Sequence, residues 1–248
     1  MKSVESASLA ALTASDLSHL ATQRIFFGHQ SVGDDIVRGL RDLMASDPRL
    51  KLRIVESAAP QLLTEPAFVE SHIGRNGDPH SKAEAFRTIV DKGLGREGGI
   101  AMYKYCYADV GPSTDIARMF DIYRREMNAL KSKYPLLRVV HITIPLTTAE
   151  PAAKGWVKSA LGRATARDLN RKRNEYNRLL TQAYNNSDPV FDLAGVESTR
   201  CDGLRSELIG SGQRIFTLAP EFTTDGGHLN GAGRRIAAAH LLMALAKL

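Results

Sequence analysis

The chain alternates short β-type runs with amphipathic helical stretches, and this alternation constrains its fold more than any other feature. Arg24–Gly28 reads as a first strand. From Asp34 to Met44, Ile36, Val37, Leu40, Leu43 and Met44 share one helical face, with Asp34, Arg38, Arg41 and Asp42 opposite. Leu50–Val55 is a second strand, Ser71–Ser81 a polar, glycine-containing loop, and Lys82–Lys92 a helix. Gly99–Tyr107 forms a third strand, rich in aromatics. Ser113-Thr114-Asp115 then caps a helix whose stripe is Ile116, Phe120, Tyr123, Met127 and Leu130. Leu136–Leu146 is the clearest strand, Thr165–Tyr184 is helical, Pro189–Leu193 is a fifth strand, and Gly231–Leu248 closes the chain as a helix. Strands separated by helices pair in parallel and bury both faces of their sheet. The expected fold is therefore α/β, a three-layer α/β/α sandwich with a mainly parallel five-stranded sheet. No repeat, low-complexity tract or linker divides residues 1–248, so they read as one domain with 1–22 as a lead-in.

At 43% hydrophobic and 24% charged residues, disordered and fibrous classes are excluded. No apolar run approaches the length of about 18 residues that spans a bilayer. Ser8–Thr13 is too short and too poorly flanked for a signal peptide, which leaves the compartment open. The net charge of +6 is spread along the chain. Its densest stretch, Arg163–Arg178, has no interleaved aromatic platform and reads as a solvated helix face, so no nucleic-acid partner is expected. Cys106 and Cys201 belong to no Cys-x-x-Cys or Cys/His cluster; a structural zinc site is not expected, and the two read as free thiols, with a single disulfide between them as the alternative.

In a sheet of this kind, ligands bind outside the carboxyl ends of the strands. The first such place reads Phe27-Gly-His-Gln-Ser31-Val-Gly33. A serine in a strand-to-helix turn has an exposed hydroxyl and an N–H near a helix N-terminus, both suited to a nucleophile. It serves equally as a plain N-cap. The last such place reads Thr224-Asp225-Gly-Gly-His228-Leu-Asn230, just before the closing helix. A carboxylate three residues before an imidazole, in a turn with two glycines, can fix its tautomer and leave the other ring nitrogen for a serine. The alternative is a local turn with His228 merely exposed.

The two blocks, in this order and at opposite ends of the chain, resemble the SGNH (GDSL-type) hydrolase superfamily. That resemblance implies a flavodoxin-like sandwich with Ser31 as nucleophile, His228 as general base and then acid, and Asp225 as its orienting partner. Arg75-Asn76-Gly77-Asp78 is similar to the family's second block, which implies that Gly77 lends its N–H to an oxyanion hole. Read on its own, Asn76-Gly77 is a strong turn signal. Two departures stand out. His29-Gln30 precedes Ser31 where the family has Gly-Asp, and Cys106-Tyr-Ala-Asp109 places Ala108 where an asparagine is expected. Asn76, in the neighbouring loop, has the right kind of side chain to replace that donor.

Asp109 is expected to hydrogen-bond the nucleophile loop. Lys104, inside an aromatic strand, is expected to snorkel or to pair with an acid such as Asp109. His29 and His72 flank the site but lack a carboxylate at ligand spacing, so they read as packed or surface residues, with no metal. Asp192 and Glu197 read as structural. Residues 147–168 make a long connection that suits a lid or substrate wall, and their Trp156 is a candidate substrate contact. The function expected is a serine esterase on a short acyl, for instance acetyl, ester of a carbohydrate or small polar molecule, without cofactor. Acyl transfer to a glycan by the same residues, or a non-catalytic binding module on the same fold, are the alternatives.

Overall fold

A computed structural model of the protein describes residues 11–57, 65–210 and 212–248. After helix α1 (Ala14–Ala21), strand β1 (Arg24–His29) leads into helix α2 (Val32–Ser46). Strands β2 (Ile54–Glu56) and β3 (Ala67–His72) follow, then helices α3 (Pro79–Lys92) and α4 (Leu94–Glu97). Strand β4 (Gly99–Tyr103), a 3-10 turn at Tyr107–Asp109, helix α5 (Ile116–Lys133) and strand β5 (Leu137–Ile142) form the middle of the chain. Helices α6 (Ala152–Ala160) and α7 (Ala166–Tyr184), strand β6 (Val190–Phe191) and helix α8 (Leu193–Ser198) come next. A hairpin of β7 (Glu207–Gly210) and β8 (Gln213–Phe216), a 3-10 turn at Pro220–Phe222, and helix α9 (Gly231–Leu245) complete the described chain.

The central sheet has six strands rather than the expected five, all parallel, in the order β2-β3-β1-β4-β5-β6. Leaving out the short edge strand β2, the order is the flavodoxin-like one, whose switch of direction opens a crevice at the carboxyl end of β1. The strand missing from the expectation is β3. Phe68 and Val69 are its only large apolar residues, whereas Glu70 and Ser71 are buried polar ones, so it carries no apolar periodicity. Consequently the Gly77-Asp78 turn follows β3, not the second strand in chain order. The β7–β8 hairpin was likewise not expected.

Alternation along the strands divides the core into two layers. Ile25 and Phe27 of β1, Ile100 and Met102 of β4, and Val140 and Ile142 of β5 pack with α1, α2, α8 and α9. Phe26, Ala101, Tyr103 and Val139 face the other way, onto α3, α5 and α7. Helix α9 lies along α2, which brings the loop preceding α9 beside the turn between β1 and α2. No helix among the described residues is long and apolar enough to cross a membrane, and both cysteines are free, Cys106 buried and Cys201 exposed.

Glu197 of α8 is buried; its Oε1 accepts the Leu146 N–H, and its Oε2 has no partner among the described residues. Burial pushes this carboxyl up to about 8, outweighing the Leu146 N–H. Between the unfolded value of about 4.3 and the folded one, the native state holds a proton that the unfolded chain has released. The contribution of this group to stability therefore falls as pH rises through that window. Glu197→Gln removes it, so the variant's thermal midpoint relative to wild type should rise from about pH 5 to about pH 8.5. Parallel pH dependences of the two proteins would contradict this.

Candidate active site

Ser31 sits where the chain leaves β1 and turns into α2. It is the single non-glycine residue at positive φ among those described, at φ 56° and ψ −104°. Such a conformation costs about 1–3 kcal/mol and persists only where the surroundings impose it. Ser31 occupies the N-cap position of α2, yet its hydroxyl makes no capping bond. Its Oγ lies instead 2.5 Å from Nε2 of His228.

The loop before α9 is built around Asp225. Its Oδ1 accepts the N–H groups of Gly227 and His228 at 2.9 and 2.8 Å, and its Oδ2 lies 2.6 Å from His228 Nδ1. The backbone bond from His228, then its side-chain bond, hold the Asp225 carboxyl well below the usual carboxylate range. A carboxylate only accepts, so Nδ1 carries the imidazole proton and Nε2 is left to accept from Ser31. The loop passes through Gly226 at φ 88°, where a Cβ would lie 2.8 Å from Thr148 Oγ1. The Thr148 N–H donates to the Gly226 carbonyl, and the Leu229 N–H donates to Asp35 Oδ2 in α2. Both sides of the loop are thus tied down, one of them to the helix that Ser31 begins.

The remaining expected site residues are arranged differently from the expectation. The Gly77 N–H is not turned to the site: it donates to Asp109 Oδ1 at 2.8 Å. Asp109 does not bond the nucleophile loop. Its Oδ2 accepts the Cys106 N–H at 2.7 Å and the Lys82 ammonium at 2.6 Å, and the Lys82 and Asp109 side chains are wholly buried. Lys82 also donates to Asn76 Oδ1 at 2.9 Å. With Oδ1 taken by a group that only donates, the Nδ2 protons are what the exposed Asn76 has to offer.

Lys104 neither snorkels nor pairs with Asp109; it is fully buried, and its ammonium donates to the Gln30 carbonyl at 2.9 Å, immediately before Ser31. Tyr107 was not singled out in the sequence, yet its hydroxyl lies 3.4 Å from His228 Nε2. Its position beside Ala108, in the block that departs from the family, was the available signal. Arg173, expected on a solvated helix face, is buried and donates to the Tyr107 carbonyl through Nε and Nη2 at 3.2 and 3.0 Å. Burial lowers its guanidinium to about 10. Asp192 caps α8 through the Gly195 N–H. The side chain of Trp156, in α6, lies outside the described residues.

His29 and His72 form a register pair at the ends of β1 and β3, and here the structure corrects the sequence reading, because a carboxylate does join them. Asp34 Oδ1 lies 2.6 Å from His72 Nε2 and 3.8 Å from His29 Nδ1. A separate cavity of about 950 Å³ lies between α7, α8 and the β7–β8 hairpin, lined by residues including Arg171, Arg178, Arg205 and Phe216. Ser31, Asp225 and His228 do not line it.

No protein-family model matches the sequence, and no curated protein matches it. Among solved structures, the chain is similar to a GDSL-like lipase from Bacteroides thetaiotaomicron, at 16% identity and a TM-score of 0.57, over 97% of this chain and 95% of that one. It is also similar to a Bacteroides fragilis protein assigned as an acylhydrolase, at 17% identity and a TM-score of 0.54, over 94% of each chain. These likenesses span nearly the whole chain and show that it shares the α/β/α fold of these two proteins.

Proposed function

We propose that this protein is a serine esterase of the SGNH (GDSL-type) superfamily, acting on short acyl esters of carbohydrates or small polar molecules. The observation that carries the reading is the continuous relay from Asp225 Oδ2 through His228 to Ser31 Oγ, at 2.6 and 2.5 Å. Ser31 Oγ attacks the ester carbonyl carbon while His228 Nε2 takes its proton, and Asp225 stabilises the imidazolium that forms. The tetrahedral oxyanion is held by the Ser31 N–H at the N-terminus of α2 and by Asn76 Nδ2. Gly77, its N–H given to Asp109, serves by shaping the turn that presents Asn76. As the intermediate collapses, His228 returns the proton to the departing alkoxide. Water then attacks the acyl-enzyme by the same route, releasing the acid and restoring Ser31.

A short acyl group fits the low aromatic content of 6% and a sequence without a long apolar stretch. The reading is tested with p-nitrophenyl acetate and butyrate: turnover of acetate by wild type, at a higher kcat/KM than butyrate, supports it, and a folded protein that turns over neither contradicts it. Asn76→Ala should lower kcat by about 100- to 1000-fold with KM little changed, the usual cost of one oxyanion donor. An unaltered kcat would remove Asn76 from the oxyanion hole and transfer its part to the Tyr107 hydroxyl.

A further inference from the structure

We propose that His29, Asp34 and His72 form a binding site for one divalent transition-metal ion, Zn²⁺ being the best match, at the base of the Ser31 turn. One ring nitrogen of His29, a carboxylate oxygen of Asp34 and a ring nitrogen of His72 all lie within 4.8 Å of one another. Ligand atoms at tetrahedral zinc distances of about 2.0–2.1 Å sit about 3.3 Å apart. The contacts of 3.8 Å from His29 Nδ1 to Asp34 Oδ1 and 2.6 Å from His72 Nε2 to the same oxygen bracket that value. The shorter contact is a hydrogen bond in the metal-free protein. A cation takes the place of that proton, and the neutral His72 imidazole then carries its single N–H on Nδ1.

The second, independent observation concerns His29. Its side chain is wholly buried, and Nδ1 has no hydrogen-bond partner. Its Nε2 lies 2.9 Å from Glu70 Oε2, and Glu70 is itself approached by Arg41 at 3.4 Å. The carboxylate can only accept, so Nε2 bears the ring proton and Nδ1 presents a bare lone pair toward Asp34. A histidine whose far nitrogen is held by a buried carboxylate is the arrangement that orients metal-ligating imidazoles and raises their basicity. Leaving such a lone pair buried and unanswered has a cost that a cation would remove.

The three ligands stand on rigid elements. His29 and His72 end adjacent parallel strands in register, and Asp34 lies in the first turn of α2. Gly33 is required by this packing, since a Cβ there would lie 2.3 Å from His29 Cβ and 2.6 Å from Nδ1. The Lys104 ammonium acts on both His29 and Asp34 and opposes a cation, while Glu70 behind His29 favours one. His72 and Asp34 are 51% and 30% exposed, which gives an ion its route of entry and leaves a coordination position to solvent. Two imidazoles and one carboxylate select first-row transition ions over Mg²⁺ and Ca²⁺, which prefer all-oxygen sites. The site stands independently of the chemistry at Ser31.

The test is calorimetric titration of chelator-treated protein with ZnCl₂, with metal analysis of the dialysed complex and MgCl₂ as control. Wild type should bind one equivalent of Zn²⁺ and no Mg²⁺. His72→Ala, a solvent-exposed change that the fold tolerates, should abolish stoichiometric binding, and so should Asp34→Asn. Glu70→Gln should weaken affinity by about 10- to 100-fold. His228→Ala, which removes the other histidine–carboxylate pair, should leave binding intact. Absence of stoichiometric binding to wild type, unchanged binding in His72→Ala, or loss in His228→Ala alone would overturn the proposal.

Discussion

Ser31→Ala is expected to lower kcat for p-nitrophenyl acetate by about ten-thousand- to million-fold while leaving the thermal midpoint within about 2 °C of wild type. The two halves of this expectation come from one fact. The Ser31 hydroxyl makes no capping bond to α2 and is aimed at His228, so the proposed mechanism depends on it and the helix does not. Alanine keeps the same strained backbone, and removing one partly buried hydroxyl lies within the range of mild substitutions. Rates measured at saturating ester, with circular dichroism melts on both proteins, check it. A variant that retains a tenth of the wild-type kcat would show that the serine is not the nucleophile. A variant that loses activity together with more than 10 °C of stability would show that its hydroxyl is structural.

The second large effect is expected at Lys82, well inside the fold. Its ammonium and the Asp109 carboxylate are wholly buried and 2.6 Å apart. Lys82→Met strands the carboxylate with only the Gly77 and Cys106 N–H groups, and breaking a buried pair from one side costs about 3–5 kcal/mol. For a chain of this size that is a fall in midpoint of about 6–20 °C. Asp109→Asn combined with Lys82→Met removes both charges and should recover part of the loss, because no ion is then left uncompensated. Kinetics should move as well: Asn76 loses the donor that fixes its amide, so kcat falls beyond what the melting curve explains. A neutral Lys82→Met would contradict the role given to this network.

What the sequence made legible is largely local. The β1-to-α2 turn and the Asp225–His228 loop are short segments whose residues bond mainly to their own neighbours or to helix ends, so spacing locates them, while the roles expected for Ser31 and His228 came from the family resemblance. What it hid depends on partners distant in the chain. Strand β3 was invisible because Glu70 is buried by virtue of His29, forty-one residues away, and no periodicity records such a pairing. The lysine that neutralises Asp109 proved to be Lys82 on α3 rather than Lys104 five residues before it, a choice fixed by which face each element presents. Asp34 read as a polar helix-face residue until the register of β1 with β3 set His29 and His72 around it. Gly77 was correctly located in a turn, but the direction of its N–H is a tertiary matter, decided by the buried Asp109 carboxylate.

The central claim, that Ser31 is a nucleophile activated by His228 and Asp225, is tested most directly by covalent trapping. Folded protein is treated with a fluorophosphonate, and the adduct is counted by intact mass and placed by peptide mapping. The account predicts one adduct per chain, on Ser31, absent in Ser31→Ala and formed far more slowly in His228→Ala. An unlabelled folded wild type, or an adduct on another residue, would contradict it.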